Sequence, residues 1–144
     1  MIALEKLDVW HVLEVGAKLQ TMQLTTVHEI DEAYARTLIA NTGVAWAVVE
    51  DGAAIACGGI AEAWADRAIA WSMITPRAFQ HFRHLHRVVK RVFDESPWAR
   101  IEIDVRADHA AGRRWAEHLG FTIEGIRRKY TPDGADMILY ARVK

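Results

Sequence analysis

Apolar positions along the chain recur at helical spacing in four places and alternate at strand spacing between them. Residues 2–7 alternate weakly and predict a short first strand. Asp8 then offers an N-cap for a helix carrying Val9, Trp10, Val12, Leu13 and Ala17. Gly16 either weakens that helix or marks a break in it. Residues 21–26 read as a loop. Thr26-Val27-His28-Glu29 fits a capping box, with Thr26 at the N-cap and Glu29 three positions on. Behind it Val27, Ile30, Tyr34, Thr37 and Leu38 keep helical spacing, and Asn41-Thr42-Gly43 closes the helix.

Strand pattern follows. Residues 44–50 are rich in Val, Ala and Trp, and Asp51-Gly52 is a hairpin signal. The next strand covers residues 53–64, with Gly58-Gly59 as a bulge or a close-packing point. Another covers 68–74 and stops at Pro76. These three segments predict an antiparallel meander. From Phe79 the helical period returns, with Phe82, Leu85, Val89, Val92 and Phe93 as the apolar stripe. Arg83, His84, Arg87, Lys90 and Arg91 lie on the other face, and Ser96-Pro97 ends the helix. Ile101, Ile103 and Val105 alternate with Glu102, Asp104 and Arg106, a strand. Asp108 is placed to cap a helix over 110–119, and Gly120 supplies the left-handed position after it. Two last strands, 122–130 and 137–143, flank the turn Thr131-Pro132-Asp133-Gly134. The predicted order is β-α-α-β-β-β-α-β-α-β-β, one domain over 1–144. Its fold class is α/β, a mixed sheet with helices on both faces.

Composition narrows the function classes. The chain has 144 residues, 51% of them hydrophobic, enough for a substantial core. Its 18 basic and 19 acidic residues leave a net charge of −1. Such a balance gives no global field toward nucleic acid or an anionic membrane, so neither is an expected partner. Cys57 stands alone, which excludes an intrachain disulfide and reads as a small buried apolar residue. The start has no basic segment followed by a long apolar one, and no run approaches the roughly 20 apolar residues of a membrane span. A cytoplasmic protein is the expectation.

The element order, with two motifs, resembles the GCN5-related N-acetyltransferase (GNAT) superfamily. Ile103-Asp104-Val105-Arg106 resembles the family's Leu-Glu-Val-Arg strand. His109-Ala110-Ala111-Gly112-Arg113-Arg114-Trp115-Ala116-Glu117-His118-Leu119-Gly120-Phe121 resembles its Asn-x-x-Ala … Phe-Tyr-Glu-Lys-Leu-Gly-Phe segment. A narrower resemblance, to acetyltransferase-like and internal virion proteins of tailed phages, rests on Trp71-Ser72-Met73, Pro76-Arg77-Ala78-Phe79, the basic helix and Trp115.

The resemblance implies acetyl transfer from acetyl-CoA, as co-substrate, to an unknown amine acceptor. Backbone groups of Met73, Ile74 and Thr75 would meet the pantetheine arm. The turn holding Phe79, Gln80, His81, Arg83 and His84 would offer free N–H groups to the pyrophosphate, with Arg83 or Arg87 adding charge. His109 falls on the family asparagine and joins the coenzyme-binding set. The departures concern chemistry. No glycine lies between Gly59 and Gly112, so the family's glycine phosphate loop is absent. Ala116 stands where a tyrosine would protonate the leaving thiolate. Glu62, Ser72, His109 and Tyr130 are the remaining candidates for proton transfer. The acceptor-binding regions of such a fold hold Glu29, Asp31, Glu32, Asp133 and Asp136, which suit a cationic amine.

Two readings follow. One is an acetyl-CoA-dependent N-acetyltransferase of phage or prophage type, in the host cytoplasm. The other is a catalytically inactive GNAT-shaped module for phage assembly or host interaction, with a protein partner and a possible place in the virion. Either suits a monomer or homodimer. His81 and His84 share a helix face at i, i+3 but lack further ligands at metal spacing, so no metal is expected. The basic helix fits a CoA phosphate site or a solvated face better than a nucleic-acid patch. Trp71 either lines the groove where the fourth and fifth strands of such folds separate, or fills space.

Overall fold

The computed structural model describes residues 1–21 and 27–144. The elements are β1 (Ile2–Lys6), α1 (Val9–Thr21), α2 (Glu32–Ala40), β2 (Val44–Glu50), β3 (Ala53–Trp64) and β4 (Arg67–Ile74). There follow a 3-10 helix (Pro76–His81), α3 (Phe82–Glu95), β5 (Arg100–Arg106), α4 (Ala110–His118), β6 (Thr122–Arg127) and β7 (Met137–Val143). Among the described residues the seven strands form one mixed sheet in the order β1-β2-β3-β4-β5-β7-β6. The pairs β1–β2, β2–β3, β5–β7 and β6–β7 are antiparallel. β4 and β5 run parallel, with Arg67, Ala68 and Ile69 opposite Arg100, Ile101 and Glu102. This is the expected α/β class and element order. No described helix is long and apolar enough to cross a membrane. The chain divides into two compact units, residues 1–62 with 70–81, and residues 63–69 with 82–144.

In the first unit α1 buries Val12, Val15 and Leu19 in a cluster with Leu7, Ile30, Ala35, Ala47, Ala54 and Cys57. Burial pushes the Cys57 thiol up to about 12, so it stays a neutral packing group. Asp8 caps α1 as expected, its carboxylate accepting the Val9 N–H at 2.7 Å. The reciprocal bond comes from a residue type the pattern did not suggest. His11 Nδ1 accepts the Asp8 N–H at 2.9 Å, and its Nε2–H donates to Glu5 at 2.8 Å. Gly16 does not break the helix. It is there for contact, since a Cβ would lie 2.6 Å from Ile30 Cγ2 and 2.9 Å from Ile30 Cβ.

The second helix starts later than the capping-box pattern suggests. Thr26 lies outside the described residues, and Val27, His28, Glu29 and Ile30 precede the helix. Asp31 is the cap, accepting the Tyr34 N–H at 2.8 Å. The reason is that Ile30 is drawn into the core against Gly16, which leaves Asp31, with an extended backbone, as the cap.

Gly58 and Gly59 resolve to close packing. The β2–β3 register instead slips at Val48/Val49, where Ile55 is the extra residue. Above the glycines sit two tryptophans: a Cβ on Gly58 would lie 3.2 Å from Trp46, and one on Gly59 3.0 Å from Trp71 Nε1. Trp71 Nε1–H donates to Thr42 Oγ1 at 3.1 Å. Trp71 is half-buried, packed over Gly59 and held by Thr42.

In the second unit α3 buries Leu85, Val89 and Phe93, and Phe93 meets Phe121 edge-on at 5.3 Å. α4 ends as expected. Gly120 takes φ +93°, its N–H reaches the Glu117 carbonyl at 3.0 Å, and the Phe121 N–H reaches Ala116 at 3.0 Å. The expected Asp108 cap is not made. His109 holds the N-cap position without a side-chain cap bond, because Arg106 takes the Asp108 carboxylate at 3.1 Å. Arg106 also binds Asp133 at 3.0 Å and is itself buried, as is Glu102 beneath Arg67 and Arg100. β5 thus departs from simple apolar-in, polar-out alternation, and opposite charges cover both buried ions. β6 ends at Arg127, earlier than the sequence pattern, and Lys129 takes a left-handed φ of 50° before the turn.

Candidate active site

In the first unit the relevant pieces are the end of β4 and the turn that follows it. Thr75 is buried, and both its N–H and its hydroxyl donate to the Ile55 carbonyl, at 3.1 and 2.6 Å. It is therefore not a free donor for a pantetheine arm, contrary to the sequence expectation. Alternation along a strand turns the backbone groups of Ile74 to the other edge of β4. Met73 and Ile74 are half-buried, and Ser72 and Glu62 are exposed.

The turn itself differs most from expectation. Pro76 opens a 3-10 helix that runs directly into α3. In such a helix each N–H donates to the carbonyl three residues back, beginning here with Ala78 to Thr75 at 3.0 Å. The N–H groups expected to be free from Phe79 onward are thus inside a continuous helical run. Three polar side chains of the turn are also engaged. Arg77 Nε donates to Glu50 Oε1 at 2.5 Å, and His81 Nε2 meets Glu50 Oε2 at 2.6 Å. Gln80 accepts from Arg77 at 2.8 Å. The Glu50 side chain is only 12% exposed. Hydrogen bonds from Arg77 and then His81 hold its carboxyl down to about 2. A diphosphate needs unpaired N–H groups and a backbone it can approach closely. This turn offers bulky side chains, paired donors and an internal carboxylate, so its residues do not fit the pyrophosphate of acetyl-CoA.

The Glu50 clamp carries a pH prediction. Its pKa lies below the ordinary 4.5, so its contribution to stability is complete above about pH 4.5 and is lost as pH falls toward 2. Glu50→Gln should flatten the acid limb of stability in that window. Urea midpoints measured from pH 5 to pH 2 check this, and an unchanged slope would remove the clamp from the account.

In the second unit His109 is half-buried, with its ring over Gly112, where a Cβ would lie 2.6 Å from Nδ1. Burial chiefly lowers its pKa, opposed by Asp108 and aided by Arg106. Ala116 is buried, placing a methyl group in the core where the family resemblance calls for a proton donor. Tyr130 is 57% exposed, with the Arg127 guanidinium 5.2 Å from its ring centroid. Arg83 and His84 are exposed on the first turn of α3. Among the described residues no three His, Cys, Asp or Glu side chains gather as a metal site.

The sequence reading passed over one group. Asp104 on β5 is the one carboxylate among the described residues whose pKa is raised. Burial is the main cause, Arg127 at 2.8 Å opposes it, and Glu102 on the same face adds to it. A raised carboxylate is a better proton acceptor near neutrality than an ordinary one. The signal was present in the Ile103-Asp104-Val105-Arg106 motif, where the apolar residues drew the attention and the carboxylate between them did not.

No family model matches the chain, and no curated protein does. Solved structures do. The ribosomal-protein-S18-alanine N-acetyltransferase of Escherichia coli is 21% identical with a TM-score of 0.69, over 99% of this chain and 94% of that one. Ard1 from Thermoplasma volcanium is 14% identical with a TM-score of 0.81, over 99% and 97%. A ribosomal protein α-N-acetyltransferase solved with coenzyme A is 16% identical with a TM-score of 0.71, over 99% and 93%. The chain has the GNAT acetyltransferase fold from end to end.

Proposed function

We propose that this chain uses the acetyltransferase fold as a non-catalytic module of phage or prophage type, with a protein partner, and does not run acetyl transfer from acetyl-CoA. The observation that carries this reading is the turn after β4, where a 3-10 helix tied to Glu50 replaces a phosphate cradle. Ala116 in place of a proton donor supports it. The phage assignment rests on the Trp71-Ser72-Met73 and Pro76-Arg77-Ala78-Phe79 resemblance.

Thermal unfolding with acetyl-CoA tests the reading. A ligand present at 100 times its Kd adds about 2.7 kcal/mol, and each kcal/mol moves the Tm of a domain this size by about 2–4 °C. A coenzyme bound at about 10 μM would therefore raise Tm by roughly 5–11 °C at about 1 mM. The expected shift is under about 1 °C. A shift of several degrees would overturn the proposal.

A second reading, acyl transfer to a cationic amine, is supported by the shared acetyltransferase fold, with Asp104, the β5 carboxylate held by Arg127, as the group to test as acceptor of the amine proton. On that reading Asp104→Asn lowers transfer to an amine panel by about 10²–10⁴-fold, the usual contribution of a positioned base. Turnover that survives Asp104→Asn unchanged sinks it.

A further inference from the structure

The arginines of α3 stand apart from most others in the protein. Arg36, Arg67, Arg77, Arg100, Arg106, Arg127 and Arg142 each hold a carboxylate. Arg83, Arg87 and Arg91 are exposed and hold none among the described residues, although they lie on three successive turns of one helix. A spacing of four residues sets them about 6 Å apart along the axis, a single cationic stripe about 12 Å long. That step is close to the separation of neighbouring phosphates on one nucleic-acid strand. The three arginines line an open depression of about 660 Å³ together with Phe82, His86 and Lys90; its far end carries Asp94, which holds Lys90 at 2.9 Å and also pairs with Arg142, and Glu95.

Rings lie along the same helix. Phe82 stacks on His86 at 6.1 Å and meets Trp115 edge-on at 5.5 Å. Trp115 Nε1–H donates to His86 Nδ1 at 3.0 Å, which fixes both rings. All three are partly exposed. Guanidinium groups grip phosphate oxygens through paired N–H donors, and flat rings accept the faces of unpaired bases regardless of sequence. An acidic protein segment would use the cations but has no need of the rings.

From this juxtaposition of an unpaired arginine stripe and a fixed Phe82–His86–Trp115 cluster, we infer that α3 forms a binding site for single-stranded nucleic acid. Phosphates lie on Arg83, Arg87 and Arg91, and bases rest on the rings. The near-zero net charge does not oppose this, since the field of one helix face acts within about 10 Å at ordinary salt. Binding is without sequence preference, because phosphate contacts and ring stacking carry no base-edge readout.

The test is fluorescence anisotropy with a labelled mixed-sequence 20-nucleotide DNA strand. Three phosphate contacts give a slope of log K on log[salt] of about −2, or roughly a 20-fold loss between 50 and 200 mM salt. The combined variant Arg83→Gln, Arg87→Gln, Arg91→Gln should bind at least tenfold more weakly and lose most of that slope. Its far-ultraviolet circular dichroism should be unchanged, since all three side chains are exposed. Trp115→Phe should weaken binding severalfold while leaving the salt slope intact, because it frees the His86 ring without touching a cation. A charge-matched control, Lys6→Gln, Arg36→Gln, Arg128→Gln, should bind like the native chain. Four results would overturn the inference: no binding at 50 mM salt, an equal loss in the control, displacement by oligoglutamate at equal charge, or displacement by sub-millimolar coenzyme A. The last two would assign the stripe to an acidic protein segment or to the coenzyme.

Discussion

Gly59→Ala is expected to lower the Tm by about 6–12 °C, the equivalent of about 3 kcal/mol for a domain of this size. The added methyl would lie 2.5 Å from Thr42 Cγ2, 2.9 Å from the Val44 carbonyl oxygen and 3.0 Å from Trp71 Nε1. Two of these contacts cannot yield cheaply. The Val44 oxygen belongs to β2, and Trp71 is pinned by its bond to Thr42, the residue the methyl also strikes. Relief therefore requires moving β2 or breaking that bond, and overpacking of this kind costs about 1–3 kcal/mol or more. Strand propensity does not offset it, because Ala in place of Gly inside a strand gains only about 0.5–1 kcal/mol. Gly125→Ala is the control. A Cβ there meets nothing within 4 Å, so its Tm should stay the same or rise slightly. Equal effects at the two positions would show that the glycines of the strands serve backbone flexibility rather than the seat of Trp71.

Tyr140→Ala should cost about 3–5 kcal/mol, the range for deleting a fully buried aromatic ring. Tyr140 has no exposed surface and lies on β7 between β5 and β6, paired with Ile103 on one side and Ile123 on the other. The hydroxyl adds little by comparison. It accepts from Arg113 Nε at a long 3.3 Å, so Tyr140→Phe should cost only about 1 kcal/mol. Chemical denaturation of the two variants separates ring from hydroxyl. If Tyr140→Phe lost as much as Tyr140→Ala, the ring would not be what fills this part of the core.

The sequence by itself determined the element order and the fold class. Periodicity is a local property: apolar residues four apart must share a helix face, and alternating ones a strand face, whatever surrounds them. Local chemistry was equally legible where it closes within a few residues, as at Asp8 before α1 and Gly120 after α4. Where it failed, the deciding partner lay far along the chain. Ile30 is taken into the core against Gly16, and α2 starts late. Arg106 takes the Asp108 carboxylate together with Asp133, and α4 loses its expected cap. At Gly58 and Gly59 the sequence left a bulge or close packing open, and the distant Trp46 and Trp71 decided for close packing.

The same limit governs the site. Absence of a glycine after β4 was visible in the sequence, and it called free phosphate binding into question. Only tertiary structure decided what fills the place, because Glu50 comes from β2, far from Arg77 and His81 in sequence. Asp104 was in plain sight, but its raised pKa depends on burial in the fold, which outweighs the opposing Arg127 from another strand. The arginines of α3 could be counted from the sequence. That they are unpaired among the described residues while most others are paired depends on where the carboxylates lie in the fold, and distance in space rather than along the chain sets it.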